Sequence, residues 1–461
     1  MFEVSNFSYI RYIHPFEWAI LSFYVLLILV ISFWIQHARI KKEPIFRYYT
    51  VGVMAKLLSS VIFCVVYIYY YNGGDTVSYY ETARALVNLG LKDFGSLFKV
   101  LTEKASLENY FLFDDRTGYP WPYMYYDSQT FFVAKLVFPI LLLSFKSYLV
   151  SSVVLSWVAF FGVWKLFRKV TEYYPGIENK LSFAILFLPS ALFWGSGILK
   201  DTITFSAVCW FIYAFESFLN QKKKIKFLLV LIISAYVLLS IKPYILIALF
   251  PGTLIWFFHE RIARVKSRFI RYVSIPMIYF LAFAIGFFVL NALGDSLGKF
   301  SVDRMLVTAS VTQKDLKQDY YQGSSFDIGD FDPTIQGVAS KVPAAMVVGM
   351  FRPFIWEARN AVMLASGLEN AVFLILALLA IFRFLKGPGI FFKLIFDNPL
   401  ILFMLSYSMI FAVLVGLSTS NFGALVRFKL PFLSVFVCVL VILYELFNKK
   451  SHLLGKNQRF R

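Results

Sequence analysis

Eleven predominantly apolar runs, each about as long as a bilayer's hydrocarbon core demands, dominate this chain. They read at roughly 17–36, 51–71, 147–167, 181–198, 202–220, 227–241, 243–258, 272–293, 363–382, 398–417 and 430–447. A helix satisfies its own backbone N–H and C=O groups, so such runs cross lipid as helices. Only 16% of the 461 residues are charged, against about 25% in soluble domains. The sequence therefore predicts an all-α, polytopic transmembrane bundle of about 11 spans, with 1–461 as a single integral membrane domain.

The loops set the orientation. Basic residues gather at 37–50, 168–180, 221–226, 259–271, 383–397 and in a basic tail, 448–461. They alternate with the spans as the positive-inside rule requires. The N-terminus is then outside and the C-terminus inside a bacterial cytoplasmic (inner) membrane. The net charge of +18 belongs to this pattern and to anionic lipid, not to nucleic acid. Without a basic n-region or a small-residue cleavage site, the first run is expected to remain as a span.

Two segments are apolar but short. Residues 131–145 contain Lys135 and Pro139, and 342–356 run into Arg352-Pro353. Both are expected as interfacial or re-entrant helices. The long loops 72–130 and 294–341 fall outside, the first rich in aromatics and acids. Long ordered loops are usually functional. No internal repeat is visible, so the inverted-repeat signature of many transporters is not seen.

Cys64, Cys209 and Cys438 lie in apolar runs and form no CxxC site. His37, His259 and His452 fall in inner segments, and His14 precedes the first span. A His-dependent acyltransferase or a zinc hydrolase is therefore disfavoured.

Ionisable groups beside hydrocarbon are costly and usually functional. Asp75 follows Gly73-Gly74 at the head of a helix, with Tyr79 and Glu81 about a turn away. It suits a helix cap or a general base. Lys200-Asp201 sit in a tight turn after Gly195-Ser196-Gly197. They suit a snorkelling cation and a capping acid, or a phosphate contact and its orienting carboxylate. Lys242 interrupts an apolar run before Pro243 and reads equally as a phosphate contact or a snorkelling side chain. Arg352 and Glu357, with Trp356 as a sugar platform, suit a headgroup and pyrophosphate clamp, or an interfacial aromatic belt with an Arg–Glu pair. Arg427 and Lys429 share a short outer turn, where the positive-inside rule disfavours cations and an anionic partner is implied.

The segments GGDTVSYYETA, PSALFWGSGILKD, RPFIWEA and NFGALVRFKLP carry a resemblance. The chain resembles the GT-C-type membrane glycosyltransferases and the bacterial O-antigen or exopolysaccharide polymerases. That resemblance implies sugar transfer from a polyprenyl-phosphate carrier in cell-surface polysaccharide synthesis. It points to Asp75 as catalytic base and to Arg352 and Arg427 as phosphate ligands. Two departures stand out: Asp75 follows the second span rather than the first, and no Asp-Glu pair occurs there.

The resulting expectation is a glycosyltransferase or glycan polymerase. Asp75 is its general base, and Asp201 and Glu357 complete the catalytic set by orienting the phosphate-binding groups or holding the acceptor. Lys200, Lys242, Arg352, Arg427, Tyr79, Glu81 and Trp356 hold a polyprenyl-phosphate-linked sugar amid membrane lipids. No cofactor is required; a divalent metal near Asp75 and Asp114-Asp115 fits but is not demanded by the spacing. The alternative is a transporter or flippase of lipid-linked glycans. It needs polar residues at mid-membrane, whereas the span centres read as almost purely apolar.

Overall fold

The computed structural model describes residues 12–222, 224–263 and 335–459, with scattered positions between 264 and 334. Among the described residues the regular elements are helical, and the only β pairing is an isolated bridge between Ser325 and Asn421. In chain order the helices that matter begin with α1 (Pro15–Ile40), α2 (Pro44–Tyr70), α3 (Asp75–Lys92), α4 (Ser128–Leu143) and α5 (Tyr148–Tyr173). There follow α6 (Glu178–Ile185), α7 (Pro189–Trp194), α8 (Lys200–Asn220), α9 (Lys224–Ile241) and α10 (Pro243–Ala263). The last are α11 (Ile335–Phe351), α12 (Ala361–Lys386), α13 (Pro399–Ser418), α14 (Phe422–Phe428) and α15 (Leu430–Arg459).

Eight described helices are long and apolar enough to cross a membrane: α1, α2, α5, α8, α9, α12, α13 and α15 as far as Lys449. Only 17% of the most apolar window is buried in α1 and in α12, against 78% in α15. Helices that bare Phe, Leu and Ile along most of their length need hydrocarbon around them. The chain is a multi-pass helical membrane protein.

The other three expected spans fare differently. Residues 181–198 form no single helix but break into α6 and α7. Pro189 disfavours helical geometry in the residue before it and opens α7 instead. The run 243–258 lies in α10, whose apolar portion is short. Half of the positions in 272–293 are described, all of them helical, and most of the loop 294–341 lies outside the described residues.

The contacts gather into two compact units. Unit 1 comprises Met1–Lys169, Ala191–Tyr213 and Ile232–Lys242, and unit 2 comprises Val170–Ser190, Ala214–Leu231 and Pro243–Arg461. Within unit 1, Glu17 of α1 accepts from Ser147 Oγ at 2.7 Å and from the Leu149 N–H at 3.4 Å. A carboxylate thus meets the N-terminus of α5, where unsatisfied amides and the helix dipole favour negative charge. The expected interfacial segment 131–145 falls in α4, a 16-residue helix with Pro139 inside it, packed against α3.

Within unit 2, α11 packs closely along α13. A Cβ on Gly349 would come within 2.1 Å of the Ala412 carbonyl oxygen, and one on Gly416 within 2.0 Å of that of Ala345. Ala345 and Gly349 lie four apart, as do Ala412 and Gly416, which lets two backbones touch. The segment 342–356, expected at the membrane surface, is therefore mostly a helix packed along a spanning one. Charge at 352 masked this, because Arg352 stands just past the end of α11.

Candidate functional site

The expected site residues divide between the units: Asp75, Tyr79, Glu81, Lys200, Asp201 and Lys242 lie in unit 1, and Arg352, Trp356, Glu357 and Arg427 in unit 2. In unit 1 the chain leaves α2 through Asn72, Gly73 and Gly74, all at positive φ (53°, 107° and 110°). Glycine tolerates this backbone readily. Asp75 is then the first residue of α3 and is exposed. The N-cap is Gly74, with no side-chain cap bond, so Asp75 occupies the first turn rather than the cap. Tyr79, one turn on, is buried. Glu81 accepts from the Tyr12 hydroxyl and from Trp121 Nε1 at 2.7 Å. Six residues beyond Asp75, Glu81 faces a different side of the helix.

The glycine turn before α8 is set by close approach. A Cβ on Gly197 would lie 1.9 Å from the ring of Phe63, which is fully buried. Lys56, on α2, donates to the Gly195 carbonyl at 2.5 Å and anchors the turn. Lys200 and Asp201 then open α8 and diverge. Lys200 Nζ donates to Thr130 Oγ1 at 2.6 Å and stands 3.9 Å from Asp127 Oδ2. Asp201 Oδ1 accepts from Lys242 Nζ at 2.5 Å, with side chains only 1% and 8% exposed. The Lys242 N–H in turn bonds the Leu238 carbonyl at the end of α9. Lys242 therefore ends a helix by pairing with Asp201, and neither group is open to a substrate.

In unit 2, Arg352 binds Glu357 through Nε at 2.9 and 3.1 Å and also through Nη2. Glu357 Oε2 accepts from the Phe354 N–H at 2.8 Å, so the Arg352-Pro353-Phe354 turn folds around that carboxylate. The guanidinium lies over the rings of Phe326 (4.7 Å) and Phe422 (5.2 Å), which stack on each other. The Phe326 N–H donates to the Ser420 carbonyl at 2.8 Å, tying 325–326 to the turn before α14. Arg427, near the far end of α14, is half-buried. Trp356 is 78% exposed and stacks on Phe354.

Lys429, expected with Arg427 in the last outer turn, completes unit 2's cluster together with residues that the sequence does not single out. Lys429 is buried and donates to the Arg352 carbonyl at 3.0 Å and to Asn370 Oδ1 at 2.7 Å. Burial brings the Lys429 ammonium down to about 7, opposed by the charge of Glu369. Asn370 Nδ2 donates to the Pro353 carbonyl at 3.0 Å. Glu369 accepts from the Ser190 hydroxyl and from its N–H at 3.1 Å.

Lys56, Glu216 and Glu369 qualify the reading of almost purely apolar span centres: Lys56 and Glu369 lie well inside helices long and apolar enough to span, and Glu216 near the end of one. Glu216 is buried, accepting from the Tyr173 hydroxyl at 2.8 Å. A lone charge inside an apolar run was their signal, outweighed by the hydropathy of their neighbours. Among the described residues no three His, Cys, Asp or Glu side chains converge in a metal-binding group. Asp114 is committed to Lys92 Nζ at 2.7 Å and to the amides of Arg116 and Thr117.

These features define a helical membrane protein with ion-paired and aromatic clusters at helix ends. Comparison with protein-family models, with curated proteins and with solved structures gives no match.

Proposed function

We propose that this chain is a glycosyltransferase or glycan polymerase using polyprenyl-phosphate-linked sugars at the outer face of a bacterial cytoplasmic membrane. Its eleven-span topology has the N-terminus outside and the C-terminus inside. Asp75 removes the proton from the acceptor hydroxyl. The hydroxyl oxygen then attacks the anomeric carbon, and the bond from that carbon to the carrier's phosphate oxygen breaks. The leaving phosphate takes the electron pair, and cations stabilise its charge. Lys200 in unit 1 and Arg352 and Arg427 in unit 2 are assigned to phosphate or headgroup binding, and Trp356 to a sugar face. The reading gives Asp201 and Glu357 a positioning role, because each is already held by a cation.

The observation that carries this reading is the exposed carboxyl of Asp75, opening α3 just after α2 leaves its apolar run. A base acting on lipid-borne sugars needs that position. Its test uses membranes supplied with a radiolabelled polyprenyl-linked glycan pool. Asp75→Asn should lower transfer by about 10²–10⁴-fold. Growth into a ladder identifies a polymerase, and a single added sugar a simple transferase. Undiminished transfer by Asp75→Asn refutes the assignment.

Lys56, Glu216 and Glu369 favour a second reading, a transporter or flippase of lipid-linked glycans. Buried ionisable groups within spans are typical of transport pathways. Under that reading Lys56→Met abolishes translocation of a labelled lipid-linked glycan, and Asp75→Asn does not.

A further inference from the structure

A pocket of about 490 Å³ opens in unit 1, formed by the stretch of α3 from Glu81 to Asn88 and the segment 110–122. Its size falls within the 300–1,000 Å³ usual for small-molecule sites. It contains neither Asp75 nor Lys200. Two features set its chemistry.

One is an aromatic wall with available surface. Tyr119 and Trp121 are 46% and 45% exposed. Both are held in place. Tyr119 stacks on Tyr110, whose hydroxyl donates to the Pro120 carbonyl at 3.0 Å. Trp121 Nε1 donates to Glu81 at 2.7 Å.

The other is a balanced set of charges: Glu81 and Asp115 against Arg84 and Arg116. Asp114 organises the turn through the amides of Arg116 and Thr117, with Gly118 at φ 71°, and leaves the side chains of Asp115 and Arg116 outside that network. The side chains of Asp115 and Arg116 are exposed and make no hydrogen bond or ion pair among the described residues. Two anions against two cations give no preference for a phosphate. Rigid ring faces beside paired donors and acceptors suit the C–H face and the hydroxyls of a sugar.

We propose that this pocket binds a neutral oligosaccharide, serving as the acceptor-glycan subsite of the transferase proposed above. The identification as an acceptor subsite rests on that reading, whereas the binding chemistry stands on the pocket alone. Tyr119 and Trp121 provide the platform. Asp115, Arg116 and Arg84 bind hydroxyls.

The test is saturation-transfer NMR on the full chain in lipid nanodiscs. The probes are tetramers of β-1,4-glucose, α-1,4-glucose and β-1,4-N-acetylglucosamine. At least one should bind at millimolar concentration. Tyr119→Ala and Trp121→Ala should each weaken it by about tenfold, and Tyr119→Phe, which keeps the ring, by no more than about twofold. Inorganic phosphate should not compete. Circular dichroism melts confirm that each variant is folded, and Tyr119→Phe controls for local collapse. Three outcomes overturn the proposal: no tetramer binds, phosphate displaces the sugar, or Tyr119→Phe loses as much as Tyr119→Ala.

In the transfer assay, Tyr119→Ala should raise KM for the acceptor and leave kcat nearly unchanged. If sugar binds as expected while Asp75→Asn transfers normally, the pocket stands and the reaction falls. If Asp75→Asn is inactive while Tyr119→Ala alters neither binding nor KM, only the pocket falls.

Discussion

The Lys242–Asp201 pair of unit 1 and the Arg352–Glu357 pair of unit 2 use the same ingredients in different surroundings. The first is almost wholly enclosed, with side chains 1% and 8% exposed; the second leaves 18% of each side chain open. Lysine offers a compact ammonium, whereas arginine offers a planar fork that binds both carboxylate oxygens and also lies on aromatic faces. The enclosed pair joins elements 41 residues apart in sequence, and the partly open one closes a turn of 5. A dry ion pair fixes structure, since removing one partner strands the other charge in low dielectric. A guanidinium over Phe326 and Phe422 with some solvent access retains a surface on which an anionic group can compete.

The sharpest way to break this contrast is to delete one member of the enclosed pair. Asp201→Ala should cost about 3–5 kcal/mol in detergent unfolding, whereas Asp201→Leu combined with Lys242→Met should recover most of it. Equal losses in the single and double variants would mean that the pair is not a dry one. Next comes the turn that delivers Asp201. Gly197→Ala drives a methyl into the enclosed Phe63 ring and should cost about 1–3 kcal/mol, read as a lowered melting temperature. A neutral result would show that the turn can relax.

For the open pair, Arg352→Lys keeps the charge but loses the fork and the ring contacts. About 1–2 kcal/mol of stability should go. Activity with the lipid-linked donor should fall further than the melting point implies. A loss in stability alone would make unit 2's pair as structural as unit 1's.

The smallest effect lies in the pocket wall. Lys92, with the amides of Thr117 and Arg116, holds the Asp114 carboxyl down at about 2. Its folded-state value is thus below the roughly 3.9 of an unfolded chain. Its contribution is complete above the unfolded value and is lost as pH falls from about 4 toward 2. Amide protection across 114–118, taken relative to the intrinsic exchange rate at each pH, should fall over that window, and Asp114→Asn should remove the dependence.

Much of the fold could be read directly from the runs of apolar residues. The break at Pro189 was also available, since proline disfavours helix in the residue before it. So was the packing of α11, because Ala345-x-x-x-Gly349 and Ala412-x-x-x-Gly416 are spaced for backbone contact. The Arg352–Glu357 pair was half-legible, being local, but its stack on Phe326 depends on a bond from Phe326 to Ser420. Nothing in the order of residues joined Lys242 to Asp201, Lys429 to Asn370, or Trp121 to Glu81.

The sequence by itself determined that this is a helical membrane protein and which residues stand at the ends of its apolar runs. Hydrocarbon offers the backbone no hydrogen-bond partner, so composition alone dictates helix there. Only the tertiary structure decided that Lys242 neutralises Asp201 and that Asp75 stays exposed. That depends on contacts between residues far apart in the chain, whose closeness no local pattern encodes. Asp201 and Asp75 look alike in sequence, each beside a glycine turn at the head of a helix. Packing encloses the first against Lys242 and leaves the second at the surface.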